Sequence, residues 1–360
     1  MTKKQIKLVF RIVLLTGTAI SLFYVPWILV KAWILPLPGT VQEQVNEAID
    51  HGFDGMIVYV DQAGKPPVFY TGGWNDRNKK TPADPNALFK IASISKLYVA
   101  VSISKLANDK HLSLDETVAD YFPELVGRLE NAEEITLKLI VQHRSGIPNF
   151  TNNPAYWEDE QENGKKALEF ALDLPTSFEP DNGYEYSNTN YLLLRQIIEK
   201  VVGYGYEQYI KDEILIPLEL NNTFFSLQEV DINDVMSGYY VGIEEDFKTN
   251  ENGMLATAED VGIFLRALND GSVFDEGEQE IYSSIYVYEH GGLVPGYQSL
   301  AEYYKDIDTV VVQFINTTDF NGYEWNLSEI IISRIVKILR NEKKLITNQV
   351  RVTPKSGAPS

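Results

Sequence analysis

Residues 88–96 have the sequence Leu88-Phe89-Lys90-Ile91-Ala92-Ser93-Ile94-Ser95-Lys96. Within this stretch, Ser93 and Lys96 form an S-x-x-K motif at the start of a helix that the apolar spacing predicts for residues 91–106. Positions i and i+3 share one face of a helix, so the amine of Lys96 can reach the hydroxyl of Ser93. The N–H groups at a helix start favour developing negative charge, and desolvation lowers the pKa of a lysine. The stretch therefore predicts a serine nucleophile that is activated by an amine base.

The same helix contains a second S-x-x-K motif, which is formed by Ser102 and Lys105. Ser93 and Ser102 are nine positions apart, and at about 100° per residue they face opposite sides of one helix. Only one of them can face a cleft, and Ser93 is the better candidate because it lies at the helix N-terminus. The alternative for both motifs is a pair of ordinary helix serines with solvated lysines.

A second candidate element is the Y-x-N motif Tyr186-Ser187-Asn188, between a turn-rich loop and a helix predicted for residues 191–202. A phenol beside a lysine amine can shuttle a proton, and an amide can hold a substrate carbonyl group. Tyr186 and Asn188 are therefore candidate site residues. Taken alone, the motif is more typical of a half-buried tyrosine in a loop.

A third candidate element is His290-Gly291-Gly292-Leu293, which follows a strand predicted for residues 285–289. Glycines at a strand end let a ligand approach the backbone closely. An extended backbone can bind a substrate there and donate an N–H to an oxyanion. The alternative is a glycine-rich strand end or hairpin without a ligand.

The composition excludes several other kinds of protein. With 31 Lys and Arg against 51 Asp and Glu, the formal net charge is −20, whereas nucleic acid binding needs a basic face. The absence of cysteine excludes thiolate zinc sites, iron–sulfur clusters and a cysteine nucleophile. The sequence also lacks G-x-S-x-G, H-E-x-x-H and P-loop motifs. We therefore expect no metal and no cofactor, because the histidines are also too scattered for a metal site, at His51, His111, His143 and His290.

The N-terminal segment has the pattern of a membrane anchor. Basic residues precede an uncharged run of 19 residues at 12–30, which nearly spans a bilayer core of about 30 Å. Tyr24, Trp27 and Trp33 lie near its far end, as interface aromatics do. The positive flank predicts a single-pass topology with residues from about 37 onward outside the cytoplasm, at the cell surface or in the periplasm. The alternative is a cleaved signal peptide, for which no convincing cleavage site is present.

The remaining pattern predicts an α+β domain. Strand-like runs at residues 55–60 and 68–71 near its start, and at 300–304 and 309–315 near its end, enclose a mostly helical middle. We expect one antiparallel sheet built from both ends of the domain, flanked by helices and carrying an inserted helical lobe at about 107–252. The predicted boundaries are 1–36 for the anchor, 37–345 for the domain and 346–360 for a flexible tail.

The three candidate motifs, in this order, resemble the serine β-lactamase and penicillin-binding-protein-like family. The resemblance is to its class C β-lactamase, D-aminopeptidase and esterase branch, peptidase family S12. It runs from about residue 46 to 340 and is supported by Gln142-His143-Arg144-Ser145-Gly146-Ile147-Pro148 and by His290-Gly291-Gly292-Leu293-Val294-Pro295-Gly296-Tyr297. It implies the β-lactamase/DD-peptidase-like fold.

The resemblance implies a role for each matching residue. Ser93 would be the acylated nucleophile, and Lys96 and Tyr186 would share the general acid and base work. Asn188 would orient Lys96 or a substrate amide. The strand His290-Gly291-Gly292-Leu293 would bind the substrate, and the backbone N–H groups of Ser93 and Leu293 would form the oxyanion hole. His143 would pin a turn rather than take part in the chemistry.

One departure from the family pattern concerns substrate choice. His290-Gly291-Gly292 replaces the K-T-G of many relatives, so that strand carries neither a hydroxyl nor a permanent cation for a substrate carboxylate. The expected function is a membrane-anchored, extracytoplasmic serine hydrolase. It would form an acyl-Ser93 intermediate from D-amino-acid peptides or amides, or from esters on cell-wall or surface polymers. The net charge weakly favours a cationic substrate group. The alternatives are a true β-lactamase and an inactive, penicillin-binding-like module that senses muropeptides or docks a partner.

Overall fold

The structure is a computed structural model that describes residues 1–158, 166–251 and 253–352. Residues 159–165 and 252 of the predicted helical lobe, and residues 353–360 of the predicted tail, lie outside the described residues. The contacts divide the chain into two units, which are Phe53–Thr318 and Met1–Gly52 with Asp319–Ser360.

Strands from both ends of the larger unit form one six-stranded sheet. Its strands are β1 Gly55–Gln62, β2 Val68–Asp76, β3 Thr81–Pro82, β4 His290–Val294, β5 Tyr297–Tyr304 and β6 Thr309–Ile315. The order is β3-β2-β1-β6-β5-β4, and every neighbouring pair is antiparallel. The register places Met56 of β1 opposite Ile315 of β6, so the predicted sheet is confirmed.

The helices and the shorter strands complete the secondary structure. The α-helices are α1 Lys3–Leu22, α2 Trp27–Ile34, α3 Val41–Asp50, α4 Ser95–Asn108, α5 Val118–Tyr121, α6 Leu137–Val141, α7 Asn188–Val202, α8 Tyr206–Ile210, α9 Ala258–Asp270, α10 Glu278–Ile285 and α11 Glu324–Val352. Phe89–Lys90, Leu255–Ala256 and Thr223–Phe224 form a small antiparallel sheet with Leu255–Ala256 in the centre. Tyr239–Tyr240 pairs in parallel with Thr317–Thr318.

Helix α4 lies in the core of the larger unit, and helix α9 packs on the sheet. The two helices are joined by the stacked rings of Tyr98 and Phe264, whose centroids are 3.7 Å apart. Gly262 of α9 lets the ring of Tyr59 in β1 approach, because a Cβ at that position would lie 2.2 Å from a ring carbon. Burial on all sides fixes the position of α4, and with it the position of the residues at its N-terminus.

Two predicted elements are corrected by the structure. The strand predicted for residues 285–289 is wrong, because helix α10 extends to Ile285 and the strand begins only at His290. Tyr282 and Ile285 are both buried, which is the i, i+3 spacing of a helix face. The α-helix predicted from residue 91 begins at Ser95 instead, after a 3-10 turn at Ala92–Ile94.

The N-terminal apolar run is divided into two helices. The structure places α1 at Lys3–Leu22 rather than at residues 12–30, and α2 begins after Pro26. In a continuous helix the ring of Pro26 would clash with the carbonyl group four residues earlier, that of Leu22, which explains why the first helix ends there. By length and composition, α1 could cross a membrane, and none of its residues is buried.

In the smaller unit, α2 and α3 pack against α11. The buried side chain of Arg334 in α11 donates to the carbonyl oxygens of Leu35 and Pro36, at 2.9 and 3.0 Å. It also contacts Gln44 at 2.6 Å and Glu47 at 3.1 Å in α3. Helix α11 continues to Val352, so the boundary that the sequence predicts at 346 falls within a helix.

Candidate active site

Ser93 lies in the 3-10 turn Ala92–Ile94, between the strand Phe89–Lys90 and helix α4. Ala92 has a φ of 49°, which is an unfavourable backbone conformation for a residue with a Cβ. Such strain persists only where the surrounding structure holds it, and it is common at functional sites. The turn presents Ser93 at the start of a helix whose remainder is fixed in the core.

Two of the predicted residues contact the hydroxyl of Ser93, and a third contacts Lys96. The Nζ of Lys96 lies 3.0 Å from Ser93 Oγ, and the hydroxyl of Tyr186 donates to the same oxygen at 2.7 Å. The Nζ of Lys96 also lies 2.9 Å from the Oδ1 of Asn188. The S-x-x-K and Y-x-N motifs, 90 positions apart in the sequence, therefore form one hydrogen-bonded cluster.

The electrostatics of the cluster favour neutral groups. Burial, aided by the charge of Arg195, lowers the pKa of Lys96 well below its usual value. Burial raises the pKa of Tyr186 to about 12, against the opposing effect of its hydrogen bond to Ser93. A neutral amine can donate an N–H to Asn188 and accept the O–H of Ser93. The arrangement can thus remove the proton of Ser93 and keep a phenol proton available beside it.

Asn188 is held by two residues that the sequence analysis missed. Its Nδ2 donates to the Oγ1 of Thr151 at 3.2 Å, and its backbone N–H donates to the Oδ1 of Asn149 at 3.1 Å. Asn149 and Thr151 lie directly after the Gln142–Pro148 segment, and no catalytic motif marks them. Only the tertiary fold brings these two residues to the first turn of α7.

His143 lies behind Tyr186. Its ring centroid is 4.5 Å from that of Tyr186, and its Nδ1 accepts the backbone N–H of Ser187 at 3.2 Å. Burial lowers the pKa of His143 to about 3, with Lys96 and His290 contributing in the same direction. A neutral ring that accepts a backbone N–H supports the Y-x-N loop, and His143 has no hydrogen bond to Ser93 or Lys96 among the described contacts.

The strand β4 packs directly on the turn that carries Ser93. A Cβ on Gly292 would lie 2.3 Å from the carbonyl oxygen of Ile91 and 3.2 Å from the Cβ of Ala92, so only glycine fits without displacing the strand. Gly292 pairs with Ser299 of β5, and Leu293, which is partly exposed, pairs with Gln298. Since β4 is the last strand in the order of the sheet, its other edge is available to an extended ligand.

His290 is a neutral group in this site. Its Nδ1 lies 2.5 Å from the carbonyl oxygen of Gly291, which requires a proton on that nitrogen. Burial is the main cause that lowers the pKa of His290 to about 4. The strand therefore presents no permanent cation, as its sequence indicates.

A pocket of about 330 Å³ lies beside Tyr186 and His290. Aromatic and apolar side chains form much of its wall, including Tyr184, Tyr286 and Val287, and Arg144 is the charged residue among them. The guanidinium of Arg144 is paired with Asp181 at 2.7 Å. No acidic side chain lines this pocket in the described part of the chain, so the net charge of −20 is not reflected there.

The second S-x-x-K motif has other partners. The hydroxyl of Ser102 donates to the carbonyl oxygen of Tyr98 one turn earlier, at 2.9 Å. Lys105 forms a buried ion pair of 2.9 Å with Glu278 of α10. The structure therefore separates the two motifs, since only Ser93 lies with Tyr186 and Asn188.

Comparisons with known proteins agree with this geometry. A family model described as Beta-lactamase matches residues 39–328. Protein flp of Staphylococcus aureus (strain MW2) is 29% identical over 190 residues, which are 51% of this chain and 38% of the relative. Penicillin-binding protein 4* of Bacillus subtilis (strain 168) is 29% identical over 177 residues, 48% of this chain and 38% of the relative. The matched segments thus span less than half the length of these relatives.

Solved structures show the same fold. D-amino acid amidase from Ochrobactrum anthropi SV3, solved with L-phenylalanine amide, superposes with a TM-score of 0.73 at 23% identity, over 84% of this chain and 98% of the amidase. Together with the match of the family model over residues 39–328, this likeness leads to one conclusion. The chain belongs to the β-lactamase family, within the superfamily of serine β-lactamases and penicillin-binding-protein-like serine hydrolases.

Proposed function

We propose that the chain is a serine hydrolase that works through an acyl-enzyme on Ser93. The observation that carries this proposal is the cluster in which the buried Nζ of Lys96 and the hydroxyl of Tyr186 both contact Ser93 Oγ, at 3.0 and 2.7 Å. A serine hydroxyl is a weak nucleophile unless an adjacent base takes its proton. An unpaired buried amine is such a base, and it would be a costly feature in a domain without chemistry.

The proposed reaction has two steps. In acylation, Ser93 Oγ attacks a carbonyl carbon while its proton passes to Lys96 or Tyr186, and the same pair then protonates the leaving group. The backbone N–H groups of Ser93 and Leu293 stabilise the oxyanion. In deacylation, a water molecule loses a proton to the pair and attacks the ester carbonyl; the bond to Oγ breaks, the pair returns the proton to Ser93, and the acid is released. Asn188 holds Lys96 in position through both steps.

The proposed substrates are D-amino-acid peptides or amides, or esters on cell-envelope polymers. Support comes from the family, from the fold shared with D-amino acid amidase and from the neutral site. The aromatic pocket favours an uncharged group next to the reacting carbonyl rather than the cationic group suggested by the net charge. True β-lactamase activity is the second candidate, supported by the family match but opposed by the lack of a cation on β4 to hold a carboxylate.

We further propose that the domain at 37–345 is anchored by α1 with its active site outside the cytoplasm. Lys3, Lys4 and Lys7 precede or begin the apolar part of α1, as the positive-inside rule requires. Trp27 and Trp33 of α2 expose aromatic surface within a few residues of its end, where the interface would be. Retention of the full chain in membranes washed with alkaline carbonate would support an anchor, and release as a protein shortened at its N-terminus would show a cleaved signal.

The intact mass of the full chain after a fluorophosphonate probe tests the proposed nucleophile. One adduct is expected, and it should be lost in Ser93→Ala and kept in Ser102→Ala, which is the matched control on the same helix. No adduct on a folded chain would contradict the proposal and favour a module that binds without hydrolysis. If the chain labels at Ser93 and the unlabelled chain also hydrolyses nitrocefin, it is a true β-lactamase. Hydrolysis of D-amino-acid amides without hydrolysis of nitrocefin would favour an amidase.

A further inference from the structure

Arg195 lies behind the candidate active site and is not part of any motif. It follows Asn188 on α7 by about two helical turns, so both side chains lie on the same face of that helix. Its terminal nitrogen Nη2 lies 3.2 Å from the Oγ of Ser95, a buried residue between Ser93 and Lys96. The guanidinium of Arg195 therefore contacts the S-x-x-K segment through Ser95.

The charge of Arg195 is not neutralised by a close carboxylate. Within the part of the chain that the structure describes, no Asp or Glu oxygen forms an ion pair with it, although Glu199 follows one turn later on the same helix. Its Nε is buried without a hydrogen-bond partner, and its other close contact is the ring of Tyr206, 5.4 Å from the guanidinium carbon. A guanidinium stays protonated at every pH of interest, so this charge is permanent.

The other titratable groups around Lys96 are neutral near pH 7. Tyr186 and Tyr191 place their rings 5.0 and 5.5 Å from its Nζ, and burial raises the pKa of each phenol. His143, from the loop, and His290, from β4, have lowered pKa values.

The neighbouring helices α8 and α10 add no unpaired charge close to Lys96 among the described residues. Tyr209 of α8 is buried, and its pKa is raised. Glu278 of α10 is paired with Lys105, which lies about 13 Å along α4 from Lys96. Arg195 is therefore the permanent charge that acts on the cluster among the described residues.

Resting on the acyl-enzyme function proposed above, we propose that Arg195 is a positioning residue of the acylation step. It holds the Ser95 hydroxyl and keeps the Lys96–Tyr186 pair in the form that accepts the proton of Ser93. A nearby positive charge disfavours an ammonium on Lys96 and favours a phenolate on Tyr186. Both effects favour loss of one proton from the pair, whichever residue is the base, because coupled groups titrate as a unit.

The pH dependence of Ser93 labelling tests this inference. The second-order rate of fluorophosphonate labelling of the full chain is measured from pH 5 to 10 by intact mass. In Arg195→Met and Arg195→Gln, the acid limb of the profile should move upward by about one pH unit. The rate on that limb then falls about tenfold, while the alkaline plateau stays within about twofold of the original. Gln keeps a hydrogen-bond donor for Ser95 but removes the charge.

The conservative variant separates charge from packing. Arg195→Lys keeps the charge, so its acid limb should return close to that of the unaltered chain. An equal loss of rate at every pH in Arg195→Met and Arg195→Gln, with an unmoved acid limb, would overturn the inference and leave a structural role. An unmoved profile at full rate in both variants would also overturn it. If the unaltered chain fails to label at Ser93, the proposed function itself fails, which is a different outcome from an unshifted profile.

Discussion

Two S-x-x-K motifs lie in helix α4 and the 3-10 turn before it, and their lysines have nearly equal burial and different surroundings. Lys96 is 4% exposed and Lys105 is 5% exposed. Lys96 contacts a hydroxyl and an amide oxygen, whereas Lys105 contacts the carboxylate of Glu278. Burial without a counter-charge favours a neutral amine, and burial against a carboxylate favours an ion pair. The comparison of the two motifs shows that the groups in contact with each lysine, and not the four-residue pattern, determine which lysine can act as a base.

Removing the two hydroxyl groups gives the largest expected difference between the motifs. Ser93→Ala should lower the rates of hydrolysis and of labelling by at least about 10⁴-fold. Among the described residues, no other serine or threonine hydroxyl forms a hydrogen bond with Lys96. Ser102→Ala should stay within about threefold of the unaltered chain, since Ser102 only donates to a helix carbonyl. Initial rates with a D-amino-acid amide and the fluorophosphonate mass shift measure both. Equal losses in the two variants would contradict the assignment.

Replacing the two lysines should separate activity from stability. Lys96→Met should lower the acylation rate by about 10²–10⁴-fold and leave the melting temperature unchanged or higher, because it removes a buried amine without a counter-charge. Lys105→Met should leave Glu278 buried and unpaired, which costs about 3–5 kcal/mol of stability. Calorimetric melting beside stopped-flow acylation distinguishes the two. A Lys105→Met variant of unaltered stability would show that the ion pair contributes nothing.

The two ends of α4 should also respond differently to acid. His143 and His290, at the catalytic end, have pKa values of about 3 and about 4 in the folded chain, against about 6.5 unfolded. The unfolded state therefore binds more protons, so stability is complete above about pH 6.5 and falls as the pH drops towards 4. The loss is on the order of 2.5 kcal/mol for each histidine by pH 4.5. His290→Gln should reduce this loss in urea denaturation, and the exposed His111→Gln should not.

The smallest effect is expected where both partners of the ion pair are removed. Lys105→Met with Glu278→Leu replaces the pair by apolar side chains of similar volume, which is often neutral or stabilising. Stability should return to within about 1 kcal/mol of the unaltered chain, and the labelling rate of Ser93 should not change. A double variant as unstable as Lys105→Met would mean that the pair specifies the position of α10 beyond its charge balance.

The sequence predicted the motifs and the sheet because those depend on local spacing. Two copies of one pattern could be ranked by helix position alone, since Ser93 lies at the N-terminus and Ser102 in the middle. Residues 285–289 were misassigned because a short apolar run fits a strand or a helix equally well. Thr151, Asn149 and Arg195 were missed because their importance comes from contacts across the fold. The apolar run at 12–30 does not form one helix because a proline at position 26 cannot continue the preceding turn.

The contact at Gly292 sets how closely strand β4 approaches the turn that carries Ser93. Backbone atoms of β4 already touch the turn of Ser93, and a single methyl group at 292 would meet the Ile91 carbonyl at 2.3 Å. A side chain at 292 can therefore be accommodated only if β4 or the turn moves. In the proposed mechanism, such a displacement would move the N–H of Leu293 away from the N–H of Ser93 at the oxyanion. Glycine at 292 thus keeps the two backbone segments of the proposed oxyanion site in direct contact, because it has no side chain to separate them.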